Sequence, residues 1–275
     1  MRTRTTIENE VILITGGAGF LGSVLCNKLK DRNTIIVLDR NENKCRNLYD
    51  NTSVQVAVGT LEDDIFVNSI FLKYKPTIVF HCAAQKHVLT GEQNPLSTMN
   101  SNILGTLTLL RAAREVDTKK FIFVSTDKAE LPTNVYGETK YIAEQLIKVF
   151  AEQTPHTYLA CRFCNLWGSS GSVVEIFKHN IKANKAIRIA KDTYRYFINV
   201  EDAADLLIHL ACEGISGKVY LSGSGKRISI EEVAKRVCED LNVDFNAIVK
   251  EYIEPAPYEK RNEDYLKIDK YIEII

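Results

Sequence analysis

Two short stretches of this chain hold side chains that can pass protons between them, Thr126-Asp127-Lys128 and, shortly after, Tyr136-Gly-Glu-Thr-Lys140. A carboxyl next to an amine offers an acid and a base to neighbouring atoms of a substrate. A phenol and an amine four residues apart share one face of a helix, where the ammonium can depress the phenol pKa. Tyr-x-x-x-Lys alone is a common spacing without meaning. It gains force here because it follows Ser125-Thr126-Asp127 at the end of a predicted strand and lies far downstream of a glycine loop, Thr15-Gly16-Gly17-Ala18-Gly19-Phe20-Leu21-Gly22.

These residues need a scaffold. Val11–Ile14, Thr34–Leu38, Val54–Val58, Thr77–Phe80 and Lys120–Val124 are short, β-branched, almost continuously apolar runs, the mark of strands buried on both faces. Helical spacing fills the gaps, at Leu21–Leu29, Ile65–Tyr74, Ile103–Val116 and Tyr141–Phe150. The alternation predicts an α/β chain, a Rossmann-type doubly wound parallel sheet whose ligands bind beyond the carboxyl ends of the strands. The glycine loop follows one strand and opens a helix. Gly16 permits the tight turn, Gly19 the approach of a pyrophosphate, and Gly22 close packing of helix on strand, with Phe20 and Leu21 carrying the helix start. This context predicts dinucleotide binding. Asp39, at the end of the second strand, is placed for the adenosine ribose hydroxyls and favours NAD; Arg40 beside it could pair with a 2′-phosphate and leaves NADP open. Ala83 and Ala84, leaving the fourth strand, are small enough for backbone to pass close to a cofactor, and Lys140 is placed to hold the nicotinamide ribose.

With 275 residues and 45% hydrophobic content, the chain fits one large α/β domain and a smaller appendage. The expected division is a dinucleotide-binding domain over 1–165 and a substrate-binding lobe over 166–275, interleaved because a strand near Val219 and helices of the second half should pack back on the first. Helices are expected at Val173–Ala183, Val200–Ala211 and Ile228–Leu241, with a strand at Lys218–Leu221 and a turn at Ser222–Gly225. Thirty-five basic residues balance thirty-five acidic ones, which offers no general attraction to nucleic acid or anionic lipid. No apolar run approaches the roughly 20 residues of a membrane span, and Met1-Arg2-Thr3-Arg4 leads into polar sequence, so a cytoplasmic location is expected. Cys161-x-x-Cys164 lies in an apolar strand and loop with no second pair, so it reads as structural and no metal site is expected.

Ser125-Thr-Asp-Lys-Ala129 followed by Pro132-Thr-Asn-Val-Tyr-Gly-Glu-Thr-Lys140 resembles an extended short-chain dehydrogenase/reductase, and within it the configuration-inverting UDP-N-acetylglucosamine 4,6-dehydratases of bacterial surface-sugar synthesis. Ala83–Val88, Glu92–Pro95, Asn102–Thr106, Arg162–Asn165, Gly168–Val173 and Pro257–Lys260 carry the likeness from about Val11 to about Glu263. The Thr-Asp-Lys triplet is its most specific part, since the retaining relatives have Thr-Asp-Glu. The resemblance implies NAD(P)+ bound tightly and recycled, and Thr126, Asp127, Lys128, Tyr136 and Lys140 as the catalytic set. Tyr136 would take the C4 hydroxyl proton; Lys128, kept neutral by desolvation and the Lys140 charge, would take the C5 proton; a protonated Asp127 would donate to the departing C6 hydroxyl. Lys86, Asn165, Ser172, Val173, Arg195, Glu259 and Lys260 would bind the UDP-sugar, with Arg195 pairing with the diphosphate. A homo-oligomer pairing through the helices from Ile103 and Tyr141 is also implied.

Some positions depart from that branch. Thr60 stands in place of an adenine-contacting aspartate, Ser170 in place of an arginine, and Ala256, Tyr258 and Asn262 in place of arginine, glycine and histidine. Several anion contacts are missing, which leaves open a different nucleotide or sugar, or a partial reaction that makes or uses a 5,6-ene. A reductase or epimerase on the same fold and a non-catalytic dinucleotide-binding protein are the remaining readings.

Overall fold

The computed structural model describes residues 6–48, 53–222, 226–263 and 273–274. In chain order its elements begin β1 (Val11–Thr15), α1 (Phe20–Leu29), β2 (Thr34–Asp39), α2 (Glu42–Cys45), β3 (Val54–Val58), α3 (Asp64–Tyr74) and β4 (Ile78–His81). They continue with α4 (Val88–Gln93), α5 (Pro95–Met99), α6 (Gly105–Glu115), β5 (Lys120–Thr126), α7 (Val135–Glu152) and β6 (Thr157–Phe163). Then come β7 (Asn165–Leu166), α8 (Val173–Lys182), β8 (Ile187–Ala190), β9 (Tyr194–Ile198), α9 (Val200–Glu213) and β10 (Val219–Ser222). β11 (Lys226–Ser229), α10 (Ile230–Asp240), β12 (Lys250–Ile253) and β13 (Glu273–Ile274) complete the order.

The main sheet has the order β13-β10-β6-β5-β4-β1-β2-β3, and every neighbouring pair is parallel. β1 pairs with both β2 and β4, so the strand order reverses at β1, where a doubly wound sheet opens its ligand crevice. Strand interiors such as Ile12-Leu13-Ile14 and Ile35-Ile36-Val37 are fully buried, and helices bring Val67, Phe71, Leu109, Leu110, Ala143 and Ile147 against them. The apolar runs predicted this arrangement. The helix expected from Ile103 begins at Gly105, after a wide π turn over Asn100–Leu104.

The chain forms two compact units. It leaves the first after Phe163, returns to it for α9 and β10 over Val200–Ser222, and leaves again. In the second unit, β9 runs parallel to β7 and antiparallel to β11, and β8 pairs in parallel with β12. Val174, Phe177 and Ile181 of α8 and Val233, Ala234 and Val237 of α10 enclose its core with Ile187, Ile189 and Phe197.

The helix expected over Ile228–Leu241 needs correcting. Ile228 belongs to β11, and α10 starts at Ile230 because the Ser229 hydroxyl caps it by accepting the Glu232 amide at 3.0 Å. The turn expected at Ser222–Gly225 lies largely outside the described residues.

Candidate active site

The ends of β1, β2 and β4 form one polar ledge. Gly16 turns with φ +65°, and a Cβ on Gly22 would lie 2.3 Å from the Gly16 carbonyl oxygen. Gly22 therefore lets α1 close on the loop itself, a nearer contact than the helix-on-strand packing expected. α1 begins at an N-cap glycine, Gly19, with no side-chain cap and no acid in its first turn. Uncapped first-turn amides at this end of a helix attract an anion, so this donor set fits a pyrophosphate. Asp39 ends β2 with one carboxylate oxygen accepting from Ala18 N at 3.2 Å and the other from Asn41 N at 2.9 Å, which fixes the carboxylate beside the loop. Arg40 is exposed. Ala83 follows β4, and its backbone would lie 2.9 Å from a Cβ on Gly16, so the two loops touch. Ala84 is half-buried. Lys86 reaches the surface, yet crowding around its ammonium and the like charge of Lys44 lower its pKa.

β5 and α7 supply the other side. β5 ends at Thr126, and a single 3-10 turn, Asp127–Ala129, follows. Asn134 caps α7 through Gly137 N at 2.8 Å, and Glu92 Oε1 accepts from Val135 N at 2.8 Å. Gly137 is needed sterically, since a Cβ there would sit 2.2 Å from the Lys128 carbonyl oxygen. That close approach brings the turn against the first turn of α7. Thr126 Oγ1 donates to Asp127 Oδ1 at 3.0 Å, Lys128 Nζ donates to the same oxygen at 3.1 Å, and the Tyr136 phenol hydrogen-bonds Thr126. Thr126, Asp127, Lys128 and Tyr136 thus form one buried to half-buried cluster.

One electrostatic expectation changes. Burial pushes the Tyr136 phenol up to about 12; the Lys128 charge and the Thr126 hydrogen bond oppose this, and Asp127 adds to it. The cation that eases Tyr136 is therefore Lys128, where Lys140 was expected. Lys140 is itself buried, with Nζ 4.0 Å from the centre of the Phe123 ring. Desolvation brings its pKa down to about 7 against the opposing pull of Glu144 and Cys82. Lys128 Nζ and Asp127 Oδ1 lie 3.1 Å apart, a separation that suits a charged pair as well as the neutral amine and protonated acid expected. The two descriptions contain the same protons: moving one from Nζ to Oδ1 turns the pair into a neutral amine and an acid.

A lysine whose pKa falls on folding costs stability wherever it is charged in the fold. Between about 7 and its unfolded value of 10.5 the unfolded chain holds the extra proton, so stability rises with pH across that window. Lys140→Met should therefore be more stable than the wild type at pH 7 and below, by an amount on the order of a few kcal/mol, and melt higher, with the advantage fading towards pH 10. Melting curves that keep the same separation at every pH would contradict this.

Sequence reading missed a second network. His81 Nδ1 contacts Thr15 Oγ1 at 2.7 Å and its Nε2 contacts Thr106 Oγ1 at 2.9 Å. Thr106 donates to Asn102 O, and Asn102 Nδ2 donates to Gln85 O and to Thr139 Oγ1 at 3.0 Å. Burial drives the His81 pKa well down, so the ring is neutral and ties the glycine-loop strand towards α7.

In the second unit the structure brings Asn165 and Arg195 together through Glu263. Arg195 Nε lies 3.4 Å from Glu263 Oε1, and Asn165 Nδ2 donates to Glu263 Oε2 at 3.2 Å. Arg195 Nη1 also donates to the carbonyls of Tyr194 and Arg261. The arginine expected to meet a diphosphate is thus engaged by an internal carboxylate. Ser172 caps α8 and Val173 opens it, while Glu259 is exposed and Lys260 half-buried on the loop before Glu263. Cys161 and Cys164 are buried and not joined in a disulfide, and among the described residues no cluster could hold a metal and no helix is long and apolar enough to cross a membrane.

Residues 12–273 match the model of a family described as polysaccharide biosynthesis protein. The capsular polysaccharide biosynthesis protein CapD of Staphylococcus aureus is 31% identical over 88% of this chain, which spans 44% of that relative's length. A UDP-glucose 4-epimerase of Rickettsia bellii is 31% identical over 82% of the chain and 70% of its own length. Among solved structures, Pen from Bacillus thuringiensis superposes with a TM-score of 0.85 at 29% identity, covering 92% of this chain and 81% of the other.

Proposed function

The chain belongs to the polysaccharide biosynthesis protein family, a group of nucleotide-sugar-modifying enzymes of the short-chain dehydrogenase/reductase type, and we propose that this member is a 4,6-dehydratase acting on UDP-N-acetylglucosamine or a close UDP-hexosamine. The observation that carries the proposal is the Asp127–Lys128 pair at 3.1 Å, joined through Thr126 to Tyr136. Oxidation and reduction at C4 need only the phenol, its neighbours and a hydride acceptor. Eliminating water across C5 and C6 needs an acid and a base besides.

In this reading Tyr136 reacts as its phenolate, which the Lys128 charge and the Thr126 hydrogen bond favour against burial, and Oη takes the C4 hydroxyl proton. The ketone at C4 acidifies the C5 proton, and Lys128 Nζ removes it after passing its own proton to Asp127. Asp127 then protonates the leaving C6 hydroxyl. A nicotinamide dinucleotide held by Gly16, Gly19, Phe20, Leu21, Gly22, Asp39, Ala83, Ala84 and Lys140 would supply hydride storage, taken from C4 and returned to C6 with no net consumption. Asp39 favours NAD, and the exposed Arg40 keeps NADP as the alternative. Return of the C5 proton from the opposite face would invert C5.

The nucleotide end falls to Lys86, Asn165, Ser172, Val173, Arg195, Glu259 and Lys260, with Arg195 shared between ligand and Glu263. Self-association belongs to the same proposal: Leu104, Tyr141, Ile142 and Val149 lie exposed just before α6 and on α7. The second reading, a 4-epimerase, is favoured by the name of the Rickettsia relative. Mass spectrometry of the sugar product separates the two. A dehydratase yields a product lighter by one water without added reductant, and an epimerase yields an isomer of unchanged mass.

A further inference from the structure

Beneath the candidate site, one buried cation joins the turn that carries Asp127 and Lys128 to the helix that carries Tyr136 and Lys140. Arg162, near the end of β6, is 1% exposed. Its Nε donates to Glu144 Oε1 at 2.8 Å and its Nη2 to Glu144 Oε2 at 2.7 Å, a two-pronged pair with a fully buried carboxylate. Its Nη1 donates to Glu130 Oε2. Glu144 stands one helical turn beyond Lys140 on the face that carries Tyr136. Ser125, immediately before Thr126, donates to Glu144 Oε1 at 2.6 Å. Glu130 closes the 3-10 turn, its amide donating to Asp127 O at 3.0 Å. β5, the turn, α7 and β6 therefore converge on a single guanidinium.

Burying such ions returns little stability, because desolvation cancels most of their attraction. What a planar fork held by carboxylates does supply is direction. We propose that Arg162, Glu130 and Glu144 form a positioning triad that sets the Asp127–Lys128 pair against Tyr136 and Lys140. Glu144 aligns the helix and Ser125, Glu130 aligns the turn, and Arg162 ties the two. The proposal rests on the dehydratase reading for its catalytic consequence, but its structural content stands apart from it.

Glu130→Gln is the discriminating variant. It removes one charge from the partly exposed arm of the triad and leaves the Arg162–Glu144 fork in place, so the fold is kept. Amide hydrogen exchange, read without sugar, should quicken on the order of tenfold over residues 127–130, while exchange over α7 and the melting temperature stay close to wild type. With UDP-N-acetylglucosamine, loss of water should slow on the order of tenfold while C4 oxidation keeps its rate, so that reduced nicotinamide builds up. Glu144→Gln should slow both steps. Unchanged exchange in the turn of Glu130→Gln, or an equal fall of both steps in that variant, would overturn the triad as a positioning device. A wild-type protein that removes no water from the sugar would count against the dehydratase reading, and the exchange measurement would still decide the triad.

Discussion

Tyr136→Phe should lose roughly a thousandfold in turnover with UDP-N-acetylglucosamine, with neither the light product nor any reduction of the bound nicotinamide on mixing. The phenol is the group that takes the C4 proton, and every later step waits on the C4 ketone. The variant keeps the ring that fills the space between α7 and the 3-10 turn and loses only the hydroxyl that hydrogen-bonds Thr126. Since burial holds that phenol at about 12, its removal should cost little stability, and the melting temperature should stay within a few degrees of wild type. Stopped-flow absorbance on mixing, followed by mass analysis, checks both parts. A variant that still oxidised the sugar at wild-type rate would take Tyr136 out of the mechanism.

Asp127→Asn should stop the reaction one step later. An amide cannot receive the Lys128 proton, so the tautomer that makes Lys128 a base is no longer accessible, and C6 loses its acid as well. Turnover to the 6-deoxy product should fall by about a hundredfold or more, while oxidation at C4 survives and reduced nicotinamide accumulates with substrate bound. The contrast with Tyr136→Phe is the informative part, because one variant blocks before the ketone and the other after it. An Asp127→Asn protein that interconverted C4 epimers at full speed would favour the epimerase reading.

The sheet was largely legible in the sequence because strands buried on both faces must be nearly all apolar, and β1, β2, β4 and β5 each show such a run, while β3 at the sheet edge keeps Gln55 exposed. The α10 boundary was misplaced because Ile228 and Ile230 look continuous in hydropathy, although the capping signal Ser229-Ile-Glu-Glu232 was there to read. Thr126, Asp127, Lys128 and Tyr136 were picked out by type and spacing, and the structure brings them together. The cation beside Tyr136 was not legible, since it depends on the fold of a single 3-10 turn and on Gly137 admitting the Lys128 carbonyl. Arg162, Glu130 and Glu144 look like ordinary charged residues in sequence, their partners lying 18 and 32 positions apart. The one available hint was Glu144 falling at the next helical step after Tyr136 and Lys140 on an otherwise apolar face. Arg195 shows the converse, for nothing in the chain's spacing announced that Glu263 would engage it.

The central claim is elimination of water across C5 and C6, and following the purified protein with UDP-N-acetylglucosamine in deuterated water by proton NMR tests it most directly. A dehydratase gives a 4-keto-6-deoxy sugar with a new C6 methyl signal and deuterium at C5, without added reductant, and the ring couplings report whether C5 has inverted. A product that keeps its C6 hydroxyl and its C5 proton while C4 changes configuration would contradict the account and make the chain an epimerase.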